Sequence, residues 1–284
     1  IGLVNSIECP NHFFDSELNT NYLFLYDYIS KRLRTKRSIK ILEIGAGGGR
    51  NLQAVHRRFP DKTELFGTDI STAALNYAAS LKIGTFSLAK SDMIPFEEKF
   101  DLILMIDILE QLDSSEIVAK TLDNARRYLS EGGCIYVSIP TELNRFSLTW
   151  LFSKFFFFRN LAKNFYGHLI QFDPKSFREL IDTNKFTVKE NFYSVHFLNQ
   201  VQILFFFYIP KTLISFFLGK RLSNDLRDSN EIVKEGGYGL LSVAKKIFVS
   251  LSIPLAYLGF RESCIRRNSC FAARNLHLLL ANKL

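Results

Sequence analysis

The sequence of 284 residues contains little of what metal centres and disulfide frameworks require. It has four cysteines, at positions 9, 134, 264 and 270, and they form no CxxC pair. No set of cysteines and histidines has the spacing of a zinc site, so no metal is expected in the functional site. We therefore predict free thiols in a reducing compartment.

Signals for secretion and membrane insertion are also weak. No basic segment followed by an apolar one opens the sequence, so no signal peptide is predicted and a cytoplasmic location is expected. The apolar stretch 201–218 is interrupted by Pro210 and Lys211, and a second stretch, 247–260, has only 14 residues. A membrane span is the least favoured interpretation. A lid over an apolar pocket and a segment lying in a membrane interface are the other two.

One sign of charge is in excess. Lys and Arg number 36 and Asp and Glu 28, which gives a net charge of +8. This balance permits an anionic partner: a nucleic acid, a phospholipid surface or a phosphorylated substrate. The aromatic-rich segments 150–158 and 201–218 are bordered by Lys and Arg, so peripheral contact with an anionic membrane is one expectation.

The first half of the sequence alternates short apolar runs with helical patterns, which predicts a parallel sheet with crossover helices. Five runs are typical of buried strands: "IKILEIG", "TELFGTDI", "GTFSLAKSD", "KFDLILMIDIL" and "GGCIYVSIP". The final run "LHLLLANKL" predicts a last strand. Ser71 is expected to cap one of the intervening helices, and Asp173 followed by Pro174 to begin another.

A glycine-rich segment, "ILEIGAGGGRN", contains the end of the first predicted strand. Such a loop lets backbone N–H groups approach a ligand at a helix N-terminus. The dinucleotide fingerprint GxGxxG is incomplete, because Arg50 occupies its third glycine position. The pattern is ExGxGxG instead, and Glu43 at the strand end suits a cationic amine and would repel a pyrophosphate. The loop is therefore expected to bind a zwitterionic amino-acid group.

Three further acids lie at the ends of successive predicted strands: Asp69, Asp92 and Asp107. Asp69 has roughly the 20-residue offset of an acceptor for ribose hydroxyls. Asp92 is placed to accept from an adenine amino group. Because the carboxyl ends of parallel strands open onto one crevice, these acids and Glu43 are predicted to share a site.

This constellation resembles the class I S-adenosylmethionine-dependent methyltransferases. The matching segments are "ILEIGAGGG", "FGTDIS", "KSDMIPF", "FDLILMIDILEQL" and "YLSEGGCIYVSIP", which cover residues 41–140 in the family's order. "HLIQFDPKSFRELIDTNKFTVKE" adds a weaker match to the branch that contains the quinone-biosynthesis O-methyltransferases. The implied fold is α/β, a doubly wound, mostly parallel, seven-stranded Rossmann-like sheet with a helical, aromatic-rich lid.

The resemblance implies a set of cofactor-binding residues: Glu43, Gly45, Ala46, Gly47, Gly49, Asp69, Ile70, Asp92, Met93 and Asp107. Glu43 and the loop backbone would hold the methionine part of S-adenosylmethionine, and Asp69 would bind both ribose hydroxyls. Ile70 would pack on the adenine, whose edge Asp92 and the Met93 N–H would contact.

Asp107 would lie near the methionine amine. The family often has Glu-His after the fourth strand, where this sequence has Glu110-Gln111, so a role of that histidine cannot be transferred. His168 follows the aromatic segment, where the family often places a histidine, and is the predicted catalytic base. A structural role is the alternative for His168, and His196 is a weaker candidate.

The predicted domain organisation follows the same resemblance. Residues 1–38 form an N-terminal helical cap and 39–195 the cofactor-binding core, with a lid insertion at about 141–168. Residues 196–262 form an aromatic-rich helical insertion, and 263–284 the last strand of the core sheet. The oligomeric state is not predicted.

The predicted function is S-adenosylmethionine-dependent O-methylation of an apolar or lipid-linked small molecule, without a nucleic-acid partner. A nucleic-acid methyltransferase is one alternative, but "IDILEQL" lacks the Pro-Pro-aromatic sequence of enzymes that methylate DNA amino groups. A nicotinamide oxidoreductase is disfavoured by Arg50. A non-catalytic cofactor-binding or scaffold protein is the third alternative.

Overall fold

The computed structural model describes residues 20–154, 168–209 and 240–283. Its described residues form one seven-stranded sheet in the order β3-β2-β1-β4-β5-β7-β6. The strands are β1 (Ile39–Ile44), β2 (Thr63–Asp69), β3 (Thr85–Leu88), β4 (Phe100–Ile106), β5 (Leu129–Pro140), β6 (Phe186–Ser194) and β7 (Asn275–Asn282).

The sheet is mostly parallel. Strands β1 to β5 pair in parallel with their neighbours, so their carboxyl ends lie at one edge. Strand β7 pairs with β5 in the antiparallel direction, from Ile135 opposite Leu280 to Pro140 opposite Asn275. The predicted doubly wound α/β fold is confirmed.

Helices connect these strands and continue in the second half of the chain. They are α1 (Thr20–Arg32), α2 (Arg50–Arg58), α3 (Thr72–Ser80), α4 (Ser115–Arg127), α5 (Leu148–Phe152), α6 (Pro174–Thr183), α7 (Phe197–Ile203) and α8 (Leu240–Ile265). Ser71 caps α3 by accepting from the Ala74 N–H, as predicted. Asp173 caps α6 with Pro174 in its first turn, also as predicted.

Helix α1 packs on the sheet through one apolar face. Tyr22, Leu25 and Ile29 are spaced three and four residues apart, as one helical face requires, and are at most 6% exposed. They join a core with strand residues such as Ile41 and Leu104. This packing fixes α1 beside the strands that end in the glycine loop.

Strand β3 is shorter than predicted. Its last residue, Leu88, pairs with Asp69, the last residue of β2, so no partner strand exists beyond that point. Asp92 therefore does not end the strand but lies in a turn four residues later, where the Met93 N–H donates to the Lys90 carbonyl at 3.0 Å.

The described residues divide into two compact units. The sheet unit comprises residues 21–143, 168–192 and 275–283, and the helical unit comprises 144–154, 193–209 and 240–274. Residues 263–265, assigned to the last strand from the sequence, belong to α8, and β7 begins only at Asn275.

The helical unit is held together by α7, α8 and buried uncharged polar groups. Gln200 donates to the carbonyls of Val195 and Ala272, and its side-chain oxygen accepts from the Thr149 N–H at 2.9 Å. A π-helical turn, Leu204–Tyr208, extends α7, and Pro254 lies inside α8. Among the residues that the structure describes, no helix is long and apolar enough to cross a membrane.

Parts of the predicted cap, lid and helical insertion lie outside the described residues. They are residues 1–19, 155–167 and 210–239. The predicted domain boundaries therefore stay a proposal.

Candidate functional site

The glycine loop connects β1 to α2 through a run of left-handed backbone. Gly45, Gly47 and Gly49 have φ values of 76°, 51° and 76°, a region in which side chains are strained. The N–H groups of Gly45 and Ala46 both donate to the Thr68 carbonyl at 2.8 Å. A Cβ atom at Gly47 would meet nothing within 4 Å, so the loop has open space on that side.

Glu43 is buried beside this loop. Its side chain is 1% exposed, and its Oε1 accepts from the Asn51 amide at 2.6 Å. Its Oε2 has no hydrogen-bond partner among the described residues. Burial raises the pKa of Glu43 to about 7, although the hydrogen bond from Asn51 opposes that shift.

Asp69 fixes the loop from the neighbouring strand. Its Oδ2 accepts from the Gly47 N–H and its Oδ1 from the Ser71 N–H, both at 2.8 Å. A carboxylate has about four lone-pair positions, so each oxygen can still accept from a ligand hydroxyl. The geometry is compatible with the predicted contact to a ribose.

Apolar side chains are exposed near the same strand ends. Ile70 is 75% exposed and Met93 62% exposed. Asp92 is partly buried, and its carbonyl accepts from the Asn124 amide at 3.0 Å. The Met93 N–H closes the turn described above, so its predicted contact with the adenine edge is not supported. The side chain of Met93, rather than its N–H, is available to a flat ring.

Asp107 follows β4 in a left-handed conformation, with φ 53°. Its N–H donates to the Ser138 carbonyl at 2.9 Å, and its own carbonyl accepts from the exposed Gln111 side chain at 2.8 Å. The charges of Asp107 and Glu43 both act on the Tyr22 phenol, whose pKa is raised mainly by burial. Asp69 likewise acts on Glu43. Three of the four predicted acids are thus electrostatically linked.

His168 lies between two carboxylates of the sheet unit, and one of them, Glu110, follows Asp107 by three residues. It is 6% exposed, and its Nδ1 lies 2.6 Å from Glu142 Oε1. Its Nε2 lies 3.8 Å from Oε1 of Glu110, a fully buried acid. The carbonyl of Glu110 accepts from the N–H groups of Leu169 and Ile170, which anchors His168 locally.

His196 is a structural residue of the helical unit. It is fully buried, with Nδ1 3.2 Å from the Ser263 hydroxyl and Nε2 3.0 Å from the Ser269 carbonyl. Burial lowers its pKa, which favours the neutral ring. In the part of the chain that the structure describes, no group of three or more His, Cys, Asp or Glu residues is placed to hold a metal ion.

Residues 14–191 match the family model described as a methyltransferase domain, which is more than half of the chain. The chain belongs to this methyltransferase family. None of the curated protein sequences compared with the chain matches it significantly.

Solved structures show the same fold at low sequence identity. The plantazolicin methyltransferase BpumL, solved with a desmethyl plantazolicin analogue and S-adenosylhomocysteine, is 16% identical, with a TM-score of 0.53 over 93% of this chain and 85% of that one. A provisionally named sarcosine dimethylglycine methyltransferase from Galdieria sulphuraria is 12% identical, with a TM-score of 0.52 over 92% and 86%.

The predicted class is therefore confirmed: the protein is an S-adenosylmethionine-dependent methyltransferase of the class I fold. The site residues fit this cofactor. An unpartnered, buried oxygen of Glu43 is suited to an ammonium group, because such an oxygen is costly to bury without a donor. Acids around the loop create a negative potential that favours a cationic ligand.

Sequence reasoning missed the residues that support the predicted ones. Asn51 and Tyr22 form a buried hydrogen-bonded chain to Glu43. Glu142 binds His168 across 26 residues of sequence. No sequence motif marks these three residues, and only the register of helix α1 places Tyr22 on a buried face.

Proposed function

We propose that the enzyme methylates a hydroxyl oxygen of an apolar or lipid-linked small molecule, as the quinone-biosynthesis branch of the family would do. The observation that carries this proposal is the pair formed by His168 and Glu142. A hydroxyl acceptor must lose a proton, whereas many amines need no base. A histidine oriented by a carboxylate is a group suited to that task.

The hydrogen bond to Glu142 determines which ring nitrogen acts. In neutral His168, Nδ1–H donates to the Glu142 carboxylate, so Nε2 carries the lone pair that accepts a proton. Glu110, 3.8 Å from Nε2, would stabilise the imidazolium that forms. His168 takes the acceptor's proton, and the carboxylates hold the resulting charge.

When bound, the cofactor supplies a sulfonium-activated methyl group. The remaining task of the protein is alignment. Glu43, the glycine loop and Asp69 would hold the methionine and ribose parts, while Ile70 and Met93 would provide apolar surface for the adenine. Excluding water and orienting the acceptor in line with the methyl group lower the barrier without further covalent chemistry.

A lipid-linked acceptor implies access to a membrane, and the charge of the helical unit supports peripheral contact with an anionic surface. Its described residues include eight Lys and Arg and a single acid, Glu262. Glu262 is itself paired with Arg266 at 3.5 Å. The excess positive charge favours anionic lipid, by about 1 kcal/mol for each Lys or Arg near the surface.

Exposed aromatic side chains accompany this charge. The rings of Phe146 and Phe271 lie 5.8 Å apart, 64% and 54% exposed, and Arg266 lies over the Phe271 ring at 5.5 Å. Asn144 joins the two loops by donating to the carbonyls of Cys270 and Ala273. We name Phe146, Phe271 and Arg266 the aromatic corner. Exposed rings beside basic side chains are typical of segments that lie in a lipid interface.

A methyl-transfer assay tests the proposed reaction. The enzyme and methyl-labelled S-adenosylmethionine are incubated with a cell extract, which is then separated into lipid, polar small-molecule, protein and nucleic-acid fractions. We expect label in the lipid fraction, in a product that has gained one methyl group, bound to oxygen, relative to its precursor. Label confined to protein or nucleic acid would refute the proposed acceptor, and a methylated nitrogen would refute the role given to His168.

A further inference from the structure

A chain of buried hydrogen bonds connects helix α1 to the acid of the glycine loop. The Tyr22 hydroxyl donates to Asn51 Oδ1 at 2.9 Å, and Asn51 Nδ2 donates to Glu43 Oε1 at 2.6 Å. All three residues are less than 9% exposed. An ionised carboxylate only accepts, so Glu43 faces the Asn51 nitrogen, and the Tyr22 hydroxyl stabilises this orientation by donating to the amide oxygen.

This arrangement satisfies one half of the Glu43 carboxylate. The Asn51 amide donates to Oε1 and the Leu52 backbone N–H also stabilises the carboxylate, whereas Oε2 has no hydrogen-bond partner in the described part of the chain. A buried carboxylate with one empty oxygen is unfavourable as an anion, and a cation that donates to that oxygen removes the penalty. The methionine part of the cofactor carries such a cation, its ammonium group.

We propose that Asn51 and Tyr22 are positioning residues that hold the Glu43 carboxylate in the orientation that receives the ammonium group of the cofactor. Neither residue needs to touch the cofactor. The Asn51 hydrogen bond fixes Oε1, which leaves Oε2 for the ligand, and the Tyr22 hydroxyl stabilises this orientation of the amide. The proposal rests on the methyltransferase assignment but not on the identity of the acceptor.

Charge makes this recognition dependent on pH. Burial raises the pKa of Glu43 to about 7, so a proton competes with the ammonium group near neutrality. The charged groups acting on Glu43 are Arg50, which favours the anion, and Asp69, which opposes it. Tyr22 and Asp107, which acts on the Tyr22 phenol, complete the set. Affinity for a ligand with an ammonium group should therefore fall as the pH decreases below about 7.

Two ligands separate recognition of the amino-acid group from the contacts to the ribose and adenine. S-adenosylhomocysteine contains the amino-acid group, and 5′-methylthioadenosine has the same nucleoside and thioether without it. The affinity of each is measured by calorimetry between pH 5.5 and 8. The ratio of the two affinities isolates the amino-acid group, because contacts to the ribose and adenine, including those of Asp69, are common to both.

The variants are chosen to change the hydrogen-bond chain alone. Asn51→Ala should weaken the binding of S-adenosylhomocysteine roughly 10- to 100-fold, the scale of a hydrogen bond to a charged group. The affinity for 5′-methylthioadenosine should change by no more than about threefold. Tyr22→Phe should have a smaller effect in the same direction, roughly threefold to tenfold. Tyr26→Phe is the control, because Tyr26 lies on the same helix and its hydroxyl donates to the Ala54 carbonyl of α2.

The pH profile distinguishes positioning from general damage to the fold. Without the Asn51 hydrogen bond the anion of Glu43 is less stable, so the pH at which the affinity ratio falls should move upward in Asn51→Ala. An equal loss for both ligands with an unchanged pH midpoint would overturn the proposal, as would a Tyr26→Phe effect equal to that of Tyr22→Phe. If neither ligand binds the unaltered protein, the cofactor assignment itself fails.

Discussion

The sheet unit and the helical unit differ in how they use charge. Described residues of the sheet unit contain 21 Lys and Arg and 20 Asp and Glu, whereas those of the helical unit contain eight and one. The sheet unit places several of its acids at strand ends, and Glu43 among them is fully buried. The helical unit buries neutral polar groups instead, such as Gln200 and Ser263, and exposes aromatic rings.

This difference indicates that the two units have different functions. The sheet unit has balanced charge outside and a few acids in fixed positions, as recognition of one cationic cofactor requires. The helical unit has an excess of positive charge and no comparable acid cluster among its described residues. We infer that cofactor binding depends on single residues of the sheet unit. Surface contacts of the helical unit depend instead on the combined contribution of many side chains.

The largest expected effect is on catalysis within the sheet unit. His168→Ala should lower kcat roughly 10²- to 10⁴-fold, the range for removal of a general base, with S-adenosylhomocysteine affinity unchanged. Steady-state kinetics with the acceptor, together with calorimetry, measure the two quantities separately.

A second variant separates the base from a merely structural histidine. His168→Asn keeps a donor for Glu142 near the position of Nδ1 and removes the nitrogen at Nε2. It should be as slow as His168→Ala. Recovery of turnover in His168→Asn would mean that the contact with Glu142 matters and that His168 does not remove the proton.

The next largest effect concerns Glu43, where one substitution should increase stability and weaken cofactor binding. Burial raises the pKa of Glu43 from 4.5 to about 7, so the folded protein holds a proton that the unfolded chain releases. Its contribution to stability is therefore present below pH 4.5 and is lost as the pH rises through about 7. Glu43→Gln should raise the free energy of unfolding at pH 8 by up to about 3 kcal/mol, and weaken S-adenosylhomocysteine binding.

Thermal unfolding of Glu43→Gln and of the unaltered protein at two pH values measures the change in stability. The gain in Tm should be several degrees at pH 8 and close to zero at pH 4.5, where the carboxyl group of the unaltered protein is already neutral. A variant that is less stable at pH 8, or that binds S-adenosylhomocysteine normally, would show that Glu43 is not the buried acid that the site depends on.

The strands of the sheet unit and the acids at their ends could be predicted from the sequence. Buried parallel strands are recognisable as apolar runs, and their carboxyl ends must meet, so Glu43, Asp69 and Asp107 could be assigned to one edge. The end of β3 was predicted four residues too late, because the pairing with β2 that limits it is not visible in the sequence. In the turn that follows, the Met93 N–H, which was predicted to contact the adenine edge, donates to the Lys90 carbonyl.

Supporting side chains could not be predicted in the same way. Asn51 follows the loop without a motif of its own. Its hydrogen bond to Tyr22 joins helices α1 and α2 through two residues that are 29 positions apart in the sequence. The helical unit is the harder case. Its apolar sequence is compatible with a core, a lid or an interface, and periodicity does not separate these. Loop-to-loop contacts such as the Phe146–Phe271 ring pair emerge only in three dimensions.

The smallest expected effect tests the helical unit by flotation with vesicles containing anionic lipid. Changing Phe146 and Phe271 to Ser should reduce binding severalfold for each ring, since both are half exposed and each would contribute about 1 kcal/mol. Salt should release part of the protein, because the basic residues also contribute.

Leu88→Ser is the matched control, because Leu88 is 59% exposed but belongs to the sheet unit. It should float with the vesicles like the unaltered protein. If the unaltered protein stays out of the vesicle fraction at low salt, the proposed membrane contact is wrong. Equal losses for Leu88→Ser and the aromatic-corner variants would remove the distinction between the two units.

The central claim, that the strand ends of the sheet unit bind S-adenosylmethionine, is tested most directly by calorimetry with S-adenosylhomocysteine. The unaltered protein should show saturable binding that NADH does not displace. Asp69→Ala should weaken it by roughly 1–3 kcal/mol, the scale of hydrogen bonds to a charged group. Saturable binding of NADH without any response to S-adenosylhomocysteine, or an unchanged affinity in Asp69→Ala, would contradict the account.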